Sequence, residues 1–402
     1  MTYDFDRVID RAGTNAVAKL GFHDYLFDGD PPPFPCEDDA LISMWVADMA
    51  FASAPAAIAA MHERLEHPIF GYSAHFDGAY SDAFGRWCQR RYGWTPDPDH
   101  FLTSAGVVPA LFDLVDCFVA PGERVLTLTP SYGFFRAAPE HHDRELVTSA
   151  LVADGAGGHD LDVDDLTRKM ADPLVSMFFL CHPHNPTGRA FTEAELRLVM
   201  ELAEEHDVLV VSDEIHCDLL RVGVTHTPLA KLFPESRRLI TCMSTSKTFN
   251  LAGLGLSHLL IADPVKRECW EDRTSPVINP VSLAGVLGVL EHGDPWWMEL
   301  RAALDRNFST VRETLAAGLP ESIFAIPDTT YLAWVDLGAY FPPETNLTRW
   351  FGEHAGVLLE GGDMFVADAD GHVRINVACP SSVLATGLDR IVSAVRNAAP
   401  SA

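Results

Sequence analysis

The run Val208-Leu209-Val210-Val211-Ser212 is apolar almost throughout and is followed at once by Asp213-Glu214-Ile215-His216. A strand without a polar face must be covered on both sides, which is the condition of a strand inside a parallel sheet flanked by helices. Arg124 to Thr129, Pro173 to Cys181 and Arg238 to Cys242 also read as strands. The chain therefore reads as α/β. Ligands of open α/β sheets sit at the carboxyl ends of the strands, so Asp213 stands where chemistry is expected.

Between Thr241 and Ala262, Lys247 is the single Lys, Arg, Asp or Glu. An amine among small hydroxyls and apolar residues loses hydration. Desolvation disfavours the ammonium, lowers the pKa and makes the amine a usable nucleophile. A lysine whose head snorkels to the surface fits the stretch equally well when it is taken alone. Together with an acid at the end of a buried strand, however, such a lysine meets the needs of pyridoxal 5′-phosphate (PLP) chemistry. The amine binds the aldehyde as an imine, and the acid keeps the pyridine nitrogen protonated so that the ring accepts electrons.

Five motifs stand in order: Met44-Trp45-Val46-Ala47-Asp48-Met49, Phe70-Gly71-Tyr72, Cys181-His182-Pro183-His184-Asn185-Pro186-Thr187-Gly188, Asp213-Glu214-Ile215-His216, and Ser244-Thr245-Ser246-Lys247-Thr248-Phe249-Asn250-Leu251-Ala252-Gly253-Leu254. In these the chain resembles PLP-dependent enzymes of the aminotransferase class I/II superfamily (fold-type I), and more narrowly the cystathionine β-lyase branch often called MalY/PatB. The resemblance implies a mostly parallel seven-stranded sheet between helices plus a smaller α+β domain. It implies an arm and part of the small domain over residues 1–50, a large PLP-binding domain over 51–290 and a small C-terminal domain over 291–402.

The resemblance also implies roles. Lys247 carries the cofactor and moves protons, and Asp213 faces the pyridine nitrogen. Asn185 donates to the phenolate oxygen, with His216 close by, and Tyr132 stacks on the ring. Arg374 clamps the substrate carboxylate, with Trp45 and Asn185 on the substrate side. Tyr72, counted with Lys247 as catalytic, reaches the partner's cofactor phosphate across a homodimer interface. Two departures stand out. Ala50 replaces an acid usual in the branch, and Gly255 occupies the place of a phosphate-binding arginine common in aminotransferases.

His100 to Leu111 reads as a strand, a small-residue turn and a helix start. A helix N-terminus presents free N–H groups to a phosphate, so the phosphate is expected on Gly106, Val107 and Val108, helped by the hydroxyls of Ser244 and Ser246. A plain βα turn reads from the same residues, and no G-x-G-x-x-G suggests a dinucleotide. His182, His184, Asp213, His216 and Asp218 invite a metal reading. The Pro-Asn-Pro-Thr-Gly pattern is turn chemistry instead, so no metal is expected.

Elsewhere, helices are predicted over Pro55 to Glu66, over Glu193 to His206 behind a Thr192 cap, from Pro264 through Asp305 to Ala317, and over Leu384 to Ala398. Strands are predicted over Leu41 to Val46, over Leu256 to Ala262 as an antiparallel member, and over Tyr331 to Leu337 and Val373 to Cys379 in a smaller sheet. The formal charge of −28, from 57 acids against 29 bases, argues against nucleic acid or an anionic membrane as partner. Eight dispersed cysteines without a C-x-x-C pair read as reduced thiols. With a polar N-terminus and no long apolar run, a cytoplasmic protein is expected. The predicted activity is C–S β-lysis of L-cystathionine or another cysteine S-conjugate. An aminotransferase is the alternative, and a regulatory protein retaining the fold is a third reading.

Overall fold

The computed structural model describes residues 3–398. Its centre is a seven-stranded sheet in the order Phe101–Ser104, Ser257–Ile261, Leu239–Met243, Leu209–Asp213, Val175–Cys181, Arg124–Thr129, Glu145–Ala150. All neighbours are parallel except Ser257–Ile261, which is antiparallel to both of its partners. Every residue of Leu209–Asp213 is buried, as its unbroken apolarity requires. Successive side chains point to opposite faces. Met177 and Phe179 join one apolar cluster with Leu111 and Ile240, whereas Phe178 and Leu180 join another with Val210 and Leu300. The register sets Cys181 opposite Asp213 and Asp213 opposite Cys242, so the loops leaving these strands open along one edge.

Helices cover the sheet. Glu193–His206 starts from a reciprocal cap, in which Thr192 Oγ1 accepts from the Glu195 N–H at 3.3 Å and Glu195 accepts from the Thr192 N–H at 2.8 Å. Pro55–Glu66 begins on a proline, which suits the first helical position, and crosses Pro280–His292 closely. A Cβ on Gly288 would lie 2.6 Å from the Ala56 carbonyl, so only glycine permits that approach. The helical stretch expected after Pro264 is three helices: Pro264–Arg273, Pro280–His292 and Asp294–Gly318.

The smaller sheet pairs His372–Asn376 antiparallel with Leu332–Asp336 on one side and Glu360–Gly361 on the other. Its residues Val335 and Ile375 share an apolar cluster with Phe178 of the large sheet. The strand predicted over residues 41–46 is reduced to Ile42–Ser43, paired parallel with Val357–Leu358. Beyond Ser43 the backbone leaves the sheet because distant side chains take its carbonyls, as described below. Among the described residues no helix is long and apolar enough to cross a membrane, and all eight cysteines are free.

Candidate active site

Four loops at the carboxyl edge of the sheet converge with the strand His372–Asn376 and the segment around Trp45. Lys247 lies in the loop after Leu239–Met243, and its Nζ donates to the Ala47 carbonyl at 2.6 Å. Burial and then the Arg374 charge pull the amine down to about 8, against the opposing carboxylates of Asp48, Asp213 and Glu360. Asp213 ends its strand buried. Its Oδ1 accepts from the Ile215 N–H at 3.1 Å, and Oδ2 accepts nothing among the described residues. Burial raises this acid to about 6, with Lys247 countering, so it remains ionised at neutral pH.

Asn185 Oδ1 accepts from Arg374 Nη1 at 3.1 Å, which turns the amide's own donor toward the open side. His216 is buried, with Nδ1 unpartnered. Burial, then Lys247 and Arg374, lower it to about 3, and the ring is neutral. Tyr132 is half-buried, and burial pushes its phenol far up.

At the end of the sheet where the phosphate is expected, a helix begins. Val107–Phe118 begins directly after Gly106. The Val107 and Val108 N–H groups have no acceptor within the helix, while Pro109 offers none. Ser244 differs from the expectation. Its hydroxyl donates to the Leu256 carbonyl at 3.0 Å and accepts from the Ser246 N–H at 3.1 Å. The single hydroxyl proton is committed to holding the loop, which leaves Ser246 as the free hydroxyl. Tyr72 is 96% exposed in the loop after Pro55–Glu66 and makes no side-chain hydrogen bond among the described residues. Within one chain it is not joined to the cluster.

Trp45 and Arg374 are held in ways that the sequence alone did not show. Trp45 is buried against Tyr25, with ring centroids 5.0 Å apart. It meets the site through its carbonyl, which accepts from Arg374 Nη2 at 3.0 Å. Arg374 is buried beside an acid. It is 1% exposed and ion-paired with Glu360, a residue the sequence reading missed. The clue was available, since Val357-Leu358-Leu359-Glu360 is an apolar run ending in an acid, like the run before Asp213. Tyr331 and Asn376 were also missed. The Tyr331 hydroxyl donates to the Ala47 carbonyl at 2.8 Å, and the Asn376 amide donates to the Val46 and Asp48 carbonyls at 2.7 and 2.6 Å. From the N-terminal arm, Arg11 ion-pairs with Asp48 at 2.7 Å.

A second polar cluster lies in the core beside the first. Glu214 Oε1 accepts from Ser212 Oγ at 3.0 Å and the Leu229 N–H at 2.9 Å, and Oε2 bonds His226 Nε2 at 2.7 Å. Asp218 accepts from the Tyr92 hydroxyl at 2.6 Å, Trp87 Nε1 at 3.2 Å and Thr248 Oγ1 at 3.3 Å. Among the described residues no group of three or more His, Cys, Asp or Glu is arranged to hold a metal ion.

The groups the edge offers are an amine of lowered pKa, bonded only to the Ala47 carbonyl, with an unpaired carboxylate oxygen, an amide donor, two helix N–H groups and one hydroxyl. That donor set fits PLP, which carries an aldehyde, a ring nitrogen, a phenolate and a phosphate. The sequence model for aminotransferase class I and II matches residues 38–391. The chain belongs to this family. Cystathionine β-lyase PatB of Bacillus subtilis is 36% identical over 98% of the chain and 100% of that protein, and protein MalY of Escherichia coli is 30% identical over 98% and 99%. A PLP-bound C–S lyase from Staphylococcus hominis, complexed with the inhibitor L-cycloserine, superposes with a TM-score of 0.94 at 38% identity over 98% of each chain. Within the family the chain therefore stands with the cystathionine β-lyase branch.

Proposed function

We propose that the protein is a PLP-dependent C–S β-lyase that converts L-cystathionine, or a related cysteine S-conjugate, and water to a thiol such as homocysteine, pyruvate and ammonia. The observation that carries this reading is Lys247, a buried amine of lowered pKa that reaches the Ala47 carbonyl and feels the charges of Arg374 and Asp213. When bound, the cofactor supplies an electron sink for the substrate carbon that loses its proton. Lys247 takes that proton from Cα, being free and close. Arg374 holds the α-carboxylate in a bidentate fork and so sets which Cα bond faces the sink. Asp213 holds a proton on the ring nitrogen, and the Asn185 amide donates to the phenolate. His216, neutral at physiological pH, lies beside them without adding charge. Tyr132 covers the ring and keeps water away. Val107, Val108, Gly106 and Ser246 take the phosphate.

Tyr72 completes the phosphate site of a second copy in a homodimer. In support, Ile69, Phe70 and Phe76 of the same loop are exposed large apolar side chains. The place of action is the cytoplasm, in line with eight free thiols, and the product thiol serves methionine biosynthesis. The test is pyruvate release from L-cystathionine without added keto acid. Release at a steady rate is expected. Amino transfer to a keto acid with no pyruvate would establish the aminotransferase instead.

A further inference from the structure

Arg374, read above as the anchor of the substrate carboxylate, already holds a carboxylate. Glu360 sits opposite it in the antiparallel register of the small sheet, is 4% exposed and ion-pairs with Nη2. Nη1 and Nη2 also donate to Asn185 and Trp45, while Nε is buried without a partner. The guanidinium is thus neutralised before any ligand arrives, yet has donor capacity to spare. A second carboxylate would bring two negative charges to one buried cation. Like charges in a shared site cannot both remain ionised without a strong rise in one pKa.

We propose that Glu360 is an internal competitor for Arg374, so that a substrate carboxylate docks only as Glu360 takes up a proton, and that this exchange sets how strongly the site binds amino acids. The proton comes from solvent and goes to a Glu360 carboxylate oxygen. Arg374 keeps its charge, and its ion pair passes from Glu360 to the ligand. The groups facing Glu360 support this course. Burial is the largest influence and raises its pKa. Arg374 on the neighbouring strand and Lys247 from the opposing loop lower it, and Asp363 from the following turn raises it. Tyr25 from the N-terminal helix Phe22–Phe27 and Tyr132 face it as phenols, and burial holds both protonated. Loss of Arg374 to the ligand removes its lowering influence on Glu360 and leaves burial to favour the neutral acid.

The inference rests on the assignment of Arg374 made above, so its test avoids turnover. The probe is 3-(methylthio)propionate, which has a carboxylate and a sulfur but no amine and cannot react. Calorimetric titration of the holoenzyme in two buffers of different protonation enthalpy counts the protons taken up. Wild type is expected to take up close to one proton per ligand and to bind more weakly as pH rises. Glu360→Gln should take up none and bind about tenfold more tightly at alkaline pH, the factor that one pK unit of coupling represents. Wild-type binding that is independent of pH and free of proton uptake overturns the proposal without any variant. Equal or weaker binding by a folded Glu360→Gln overturns it too. Absence of binding by both proteins removes Arg374 as the anchor and the proposal with it, while steady pyruvate release would leave the lyase reading standing.

Discussion

Asp213 and Glu214 follow one another at the end of one strand, both buried, and meet surroundings of opposite kind. Both oxygens of Glu214 are occupied, by Ser212, the Leu229 backbone and His226, and Asp218 nearby is equally saturated. Asp213 accepts one backbone N–H, and around it stand the unpartnered Nδ1 of His216 and Nε of Arg374. An unsatisfied buried polar group costs about 1–3 kcal/mol, so folded chains rarely leave several together. The carboxylates of the closed cluster are saturated as folded and serve the core, and the unpartnered group left there is His226 Nδ1 with the neighbouring His182 Nδ1. The open one is completed by what binds, so its residues are expected to govern chemistry more than stability.

The strongest way to break this contrast is Lys247→Ala. Pyruvate release should fall by about a thousandfold or more, the scale of a lost proton-transfer group, with no loss of resistance to denaturant. A variant that unfolds instead would place Lys247 in the framework. Next comes Asp218→Ala, which orphans the donors of Tyr92, Trp87 and Thr248 and should lower the unfolding free energy by about 3 kcal/mol. Urea titration reads this loss, and a variant as stable as wild type would erase the distinction between the clusters.

A finer measurement follows from the amine's pKa. Lys247 in the folded protein without cofactor titrates near 8, against 10.5 ordinarily. Between those values the unfolded chain carries a proton that the folded chain has released, so stability rises with pH across that window. Below about 8 both states carry the proton, and the full cost of a desolvated ammonium remains. Lys247→Met removes that cost. Its urea midpoint should exceed that of wild type at neutral pH, by a margin that shrinks as pH rises past 8. A margin constant with pH would mean that the amine is hydrated. The smallest expected effect is that of Tyr72→Phe. Loss of one hydrogen bond to a charged phosphate should weaken PLP binding by about tenfold and leave the urea midpoint of the cofactor-free protein unchanged. An unaltered affinity would dissociate that loop from the phosphate.

What the sequence revealed follows the reach of its signals. Strands buried on both faces show as apolar runs, so the inner strands and the position of Asp213 were legible; the antiparallel direction of Ser257–Ile261 came from the resemblance, and the half-buried edge strand Glu145–Ala150 was not foreseen. Glu360 carries the same signature in a shorter run, and its meaning depends on a partner strand fourteen residues on. The segment after Ser43 looked like a strand because alternation reads local preference. Its carbonyls are taken instead by Lys247, 200 residues away, and by Arg374, 329 residues away, a competition invisible to any local period. Ser244 is a related case: a hydroxyl has one proton, and its direction is fixed only when the loop closes onto Leu256.

The long reach of those carbonyl bonds has a consequence for biosynthesis. A ribosome delivers residues 44–49 long before Arg374 and Asn376, which lie 329 and 330 residues beyond the carbonyls they bind, so the first part of the site waits for its fasteners. A nascent chain stalled before residue 374 already contains Lys247 and Asp213 but lacks the side chains that tie down Trp45 and Val46. Until both residues have been made, the Trp45 and Val46 carbonyls lack the side-chain donors that hold them in the folded protein.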